Sequence, residues 1–227
     1  MNFVDELQVQ DLDIDFKPRT LAEKFRLIWK TVSFIAFTAF LLWLWQSSMV
    51  RLTQNFAEVD PGRFYRSAQL SPGELKEIVQ KYGIKTVISL RGAPESSYWV
   101  KPQIKKLEEL NTKFYSFWWT SDYFPDAEEF KSYLKLLKTA EYPILIHCRS
   151  GADRTGEATA MYSIDFMHTP KAEAIEKHLN WKYWHFEFLH PAKKAMVRNY
   201  PGIDVAIQTY DECSPENKQW TSPGHCH

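Results

Sequence analysis

The chain has 227 residues, enough to bury one sizeable core or two small ones, and its 28 lysines and arginines are matched by 28 aspartates and glutamates. That balance gives no reason to expect nucleic acid as a partner. An apolar share of 44% and a charged share of 25% are those of an ordinary globular protein, while 15% aromatics with 9 tryptophans is high.

Residues 1–30 pass from an acidic stretch, VDELQVQDLDIDF, to a basic finish and read as a tail. Thr31 to Val50, TVSFIAFTAFLLWLWQSSMV, then carries no charge. At about 1.5 Å per residue such a helix spans roughly the 30 Å hydrocarbon core of a bilayer. Trp29, Trp43 and Trp45 sit where interfacial tryptophans are found. Ser47 and Ser48 would suit signal-peptide cleavage, but the region before the apolar run is long and starts acidic. A retained transmembrane helix at 31–50 is therefore the expectation. Arg19, Lys24, Arg26 and Lys30 precede it closely and only Arg51 follows closely, so the positive-inside rule puts residues 1–30 in the cytoplasm. Residues 51–227 then lie outside, in the periplasm for a bacterium, beyond an inner or plasma membrane.

Next along the chain, RFYRSAQL alternates as a strand does. SPGELKEIVQKYG follows with Ser71 to cap a helix, Pro72 at its first position and Gly83 to close it. IKTVISL reads as a short buried strand, KPQIKKLEELN as a polar helix and KFYSFWW as a strand. After the loop TSDYFPD come the helix AEEFKSYLKLLKTA and a last clear strand, YPILIHC. This alternation predicts an α/β fold with a central, mostly parallel sheet flanked by helices. From Thr169-Pro170 onward the chain reads mainly helical, with a C-terminal tail over about 205–227. Cys213 and Cys226 in that tail either close a short loop, worth about 3 kcal/mol, or stay unpaired. His225 and His227 flank Cys226, but no functional metal site is expected there.

The chemistry concentrates after the last strand. Ligands of α/β sheets bind beyond the carboxyl ends of strands, and Cys148 sits at such an end. Arg149 to Asp153 supply backbone N–H groups from a turn that Gly151 permits, and Arg154-Thr155 opens a helix. Oriented amides, a helix N-terminus and a guanidinium together suit a dianion, and the same field favours a thiolate. The pattern places a nucleophile beneath a bound phosphate.

HCRSGADRTG, residues 147–156, resembles the signature loop of the cysteine-dependent protein tyrosine and dual-specificity phosphatases: His-Cys, five residues, then Arg-Ser/Thr. GRFYRSAQLSPGELKEIVQKYGIKTVISLRG is similar to the opening of the compact bacterial members, so the resemblance runs from about Phe56 to His178. It is closest to the periplasmic tyrosine or dual-specificity phosphatases of bacteria. The resemblance implies that Cys148 attacks phosphorus and forms a cysteinyl-phosphate. Arg149, Ser150, Gly151, Ala152, Asp153 and Arg154 are then the phosphate-binding residues, Thr155 helps the thiolate leave, and His147 supports the loop. No cofactor and no metal are implied. The family's general acid comes from an upstream loop, which makes Asp122 the candidate. Asp126, which immediately precedes a helix and suits an N-cap, is one rival. Asp153, just before the loop arginine, is the other. Arg66, Ser67 and Gln69 match a recurrent YRSAQ element with a structural role, Arg66 bracing the loop. Arg91 faces either the site or solvent; Trp118, Trp119 and Tyr123 wall the pocket or fill the core. The implied activity is that of a membrane-anchored phosphomonoesterase acting on protein phosphotyrosine. A lipid or glycan phosphate is the alternative substrate, and an inactive phosphate-binding module is the alternative of another class.

Overall fold

A computed structural model describes residues 20–92, 94 and 97–226. The acidic start, Arg19 and His227 lie outside the described residues. Two units follow one another along the chain, residues 1–45 and 46–227.

Helix α1 (Leu21–Thr53), whose residues up to 45 belong to the first unit, begins ten residues before the expected span, so Leu21 to Lys30 are helical. Its start is fixed locally: the Glu23 amide donates to Thr20 Oγ1 at 3.3 Å and the Thr20 amide donates to Glu23 Oε2 at 2.8 Å, a reciprocal cap. Leu21–Met49 is long and apolar enough to cross a membrane. Phe34, Ile35, Phe37 and Leu42 are among its exposed apolar side chains.

The second unit is built on a five-stranded sheet of order β1-β2-β5-β3-β4, with strands Ala57–Asp60, Phe64–Ser67, Thr86–Ser89, Lys113–Ser116 and Ile144–His147 numbered β1 to β5 in chain order. All neighbours are parallel except β1 against β2. The sheet is thus mostly parallel, as the alternation predicts. Strand β1 is too short, and too polar in AEVD, to stand out in sequence.

Side chains alternate across β5: Ile144 and Ile146 enter one core, Leu145 the other. The larger core is completed by α4 (Ala127–Thr139), α5 (Asp153–Phe166), α6 (Lys171–His178), α7 (Pro191–Asn199) and α8 (Ile203–Thr209). The smaller holds Leu75 and Val79 of α2 (Pro72–Tyr82) and Leu107 of α3 (Lys101–Glu109). Helix α2 carries the expected ends. Ser71 and Glu74 form a capping box, and Gly83 at φ 63° closes it in the left-handed region.

The expected tail from about residue 205 is corrected. Ala206 and Tyr210 are buried in the larger core, and Cys213 and Cys226 are joined in a disulfide. Within the loop so closed, the Trp220 carbonyl accepts from the Phe124 amide at 2.8 Å, and the two rings stack with centroids 6.1 Å apart. Apolar residues are sparse in this segment, so its packing rests on a few aromatics and one covalent tie that no periodicity announces.

Parallel pairing has a positional consequence. Ser67, His147 and Ser89 stand in register across β2, β5 and β3, so the residues that follow them emerge along one rim of the sheet.

Candidate active site

At that rim Cys148 is a free cysteine, 1% exposed, at the end of β5. The loop after it is held from outside by its carbonyls. Arg149 O accepts from the Gln69 amide at 3.3 Å, Ser150 O from Asn55 Nδ2 at 2.9 Å and Gly151 O from Arg66 Nη2 at 2.5 Å. Because a trans peptide is planar, three outward carbonyls turn the next three amides, those of Ser150, Gly151 and Ala152, to the opposite, concave side. Three amides aimed to one side have the geometry to cradle an anion. Gly151 is required in it: its φ is 70°, and a Cβ there would come within 2.7 Å of Ser67 and Ala68 backbone atoms.

Arg66 is fully buried and braces the loop, donating also to His178 O at 3.2 Å and lying 3.7 Å from the centre of the Tyr183 ring. Burial pulls it down to about 10, so it stays charged at neutral pH. Asn55, which also donates to Tyr183 O at 2.9 Å, ties the same loop to the segment after α6.

Asp153 opens α5, and Arg154 and Thr155 follow in its first turn. Arg154 Nη1 donates to Leu90 O at 3.2 Å and Trp119 O at 3.1 Å, which fixes the guanidinium against the ends of β3 and β4. Its Nε and the Thr155 hydroxyl are buried and have no partner among the described residues. A buried donor left open in this way can donate to an anion. Arg91 also faces the site. Burial lowers it, and so do the neighbouring charges of Arg149 and Arg154, with Cys148 opposing. Its guanidinium lies 3.9 Å from the Trp99 ring centre and donates to Gln69 Oε1. The Arg66 and Arg91 guanidiniums both interact electrostatically with the Cys148 thiol, positive charge of the kind a dianion needs.

His147 lies beneath the loop. Its Nδ1 is 3.2 Å from Cys148 O, which only accepts, so Nδ1 carries the proton and Nε2 accepts from Gln103 Nε2 at 2.8 Å. Burial is the main reason it is held down at about 4. His178 is pushed down further, to about 3, by burial and by Arg66. Above the unfolded value of about 6.5 both are neutral folded or unfolded. As pH falls below it, the unfolded chain takes up protons that the folded chain refuses, and stability is lost toward pH 4. Glu157, in a buried pair with Lys193 at 3.0 Å, works oppositely: burial raises it to about 7, so acidification favours its folded form. Asp165, also raised by burial, adds to that gain, while Glu74 and Glu187, held low by hydrogen bonds, add to the loss that the two histidines dominate. The urea midpoint is expected to be lower at pH 4.5 than at pH 7; an equal or higher midpoint would contradict these buried neutral histidines.

The acidic candidates separate clearly. Asp126 caps α4, Oδ1 accepting from the Glu128 and Glu129 amides at 3.0 and 3.3 Å, so it is an N-cap and not a free acid. The Asp122 side chain is 63% exposed on the loop after β4, with Oδ1 2.8 Å from His190 Nδ1. The Asp153 side chain is 12% exposed; its Oδ1 is 2.7 Å from buried His185 Nδ1, and its Oδ2 is 3.8 Å from His190 Nε2. Trp119 is core, whereas Trp118 is exposed. Asn55, Gln103, His185 and His190 are absent from the sequence-based set: each comes from a distant element, and nothing local marks it.

Residues 50–164 match the profile of a family described as the tyrosine phosphatase family. Among solved structures, TpbA of P. aeruginosa is similar at 26% identity and TM-score 0.54, over 68% of this chain and 89% of that one. A cysteine-to-serine variant of TpbA in complex with phosphotyrosine is similar at 25% identity and TM-score 0.54, with the same coverage. The core catalytic domain of the PP-IP phosphatase SIW14 of S. cerevisiae shares the fold at 17% identity and TM-score 0.52, over 64% of this chain and 85% of that one. No curated protein matches by sequence.

Proposed function

Because the chain belongs to the tyrosine phosphatase family, we propose that this phosphatase acts on phosphotyrosine in proteins through a cysteinyl-phosphate on Cys148. The observation that carries the chemistry is the outward-tied loop. Its three carbonyls are engaged by Gln69, Asn55 and Arg66, which leaves the Ser150, Gly151 and Ala152 amides and the open Nε of Arg154 free to donate to a phosphate. Phosphotyrosine is supported by the TpbA complex, a structure 25% identical to this chain.

In the first step the Cys148 thiolate attacks phosphorus, the S–P bond forms and the P–O bond to the aryl group breaks. Amides of the 149–154 loop and Arg154 hold the equatorial oxygens as charge shifts in the transition state. Asp122 gives its proton to the departing oxygen. In the second step Asp122 takes a proton from water, which attacks phosphorus. The S–P bond breaks, phosphate leaves, and Thr155 stabilises the returning thiolate. His147, neutral and donating to the Cys148 carbonyl, keeps the loop in place without moving a proton.

We place this chemistry outside the cytoplasm, with α1 as the anchor. The apolar length of Leu21–Met49 supports the anchor. The Cys213–Cys226 disulfide supports an oxidising compartment.

Phosphate release from a phosphotyrosyl peptide by the full chain in detergent is expected to exceed that from the matching phosphoseryl peptide by about tenfold or more, an aryl oxide being the easier leaving group. Release from a phosphorylated lipid in vesicles with none from either peptide would transfer the substrate to lipids.

A further inference from the structure

We propose that His190 is the positioning residue of this site, holding the acid Asp122 from the N-cap of α7. The inference rests on the phosphatase reading above.

His190 stands at the N-cap of α7 but makes no side-chain capping bond there. Its ring is used instead between two carboxylates, Nδ1 at 2.8 Å from Asp122 Oδ1 and Nε2 at 3.8 Å from Asp153 Oδ2. Asp153 opens α5 beside Arg154, and buried His185 holds its other oxygen at 2.7 Å. At 3.8 Å His190 Nε2 is beyond hydrogen-bond reach of Asp153, so the hold on the exposed loop is the Nδ1 bond to Asp122.

A second contact comes from the same turn of α7. Lys193 Nζ donates to the Tyr123 carbonyl at 2.8 Å, so two side chains three residues apart grip neighbouring residues of the acid loop. The grip matters because Asp122 is 63% exposed and the loop alone does not fix its carboxyl. A proton donor works only within hydrogen-bond reach of the leaving oxygen, and displacement by an ångström is costly. With Nδ1–H donating to Oδ1, the transferable proton stays on Oδ2.

Such a role has a signature that a structural role lacks. Positioning of an acid matters for a leaving group that needs a proton and hardly at all for one that does not. Phenyl phosphate and 2,4-dinitrophenyl phosphate supply the pair, assayed with the full chain in detergent. His190→Ala is expected to lower kcat/KM on phenyl phosphate by about tenfold or more and to leave kcat/KM on the dinitrophenyl ester, which reports P–O cleavage and not the shared hydrolysis step, within about twofold. His190→Asn, whose amide N–H occupies the place of Nδ1, is expected to restore most of the phenyl phosphate rate; His190→Gln, which matches Nε2, is not. Equal losses on both esters, or an unchanged phenyl phosphate rate in His190→Ala, would overturn the proposal. Turnover of the dinitrophenyl ester by the parent, absent in Cys148→Ser, keeps the phosphatase reading standing in either case. A folded parent inert on both esters would instead remove that reading.

Discussion

Cys148→Ser is expected to abolish turnover, by at least about 10⁴-fold, while the chain still folds and still binds a phosphotyrosyl peptide. The substitution changes one atom in a group that is 1% exposed and packed at the end of β5, so it leaves no large cavity. It also leaves the binding apparatus in place. The carbonyls of Arg149, Ser150 and Gly151 keep their partners, and Arg154 keeps its bonds to Leu90 and Trp119. What is lost is the nucleophile, because a serine hydroxyl is not brought to the alkoxide at neutral pH. Phosphate release measures the first effect and calorimetric titration with the peptide the second. Residual turnover within tenfold of the parent would mean that another group attacks phosphorus. Binding without turnover in the parent itself would assign the chain to the phosphate-binding modules.

How much of this is legible in sequence depends on how local each feature is. The loop from His147 to Gly156 is contiguous, and its glycine, arginine and flanking elements stand at fixed offsets, so its place on the rim is readable before any fold is known. The ends of α2 are readable for the same reason, since Ser71, Glu74 and Gly83 act within one helix. The supports of the loop are not. Asn55 reaches it from the end of α1, Gln103 reaches His147 from α3, and His185 and His190 come from the connection before α7. In sequence each is a single polar residue with an equally good ordinary use. Only the sheet order, which sets β5 between β2 and β3, brings them together. The tail was hidden differently: Trp220 and the 213–226 disulfide act through one ring and one covalent bond.

Asp122→Asn is expected to lower kcat/KM on phosphotyrosine by about 10²–10⁴-fold, with a far smaller loss of kcat/KM on 2,4-dinitrophenyl phosphate, whereas Asp153→Asn should cost less on the first and split the two esters less. The geometry decides between them. Asp153 has one oxygen 2.7 Å from buried His185 and the other facing His190, and its side chain is only 12% exposed. Asp122 has one oxygen toward His190 and a side chain that is 63% exposed, so its other oxygen is open to an incoming ester. Asparagine at 122 can still accept from His190 but has no proton of carboxylic acidity to give, so the loss falls on the leaving-group step. The parent's pH–rate curve on the phenyl ester should descend where its acid loses its proton, and that limb should disappear in Asp122→Asn. The measurement is kcat/KM against pH for both variants on both esters. A larger loss and a vanished limb in Asp153→Asn would move the acid onto the first turn of α5 and leave Asp122 as its support.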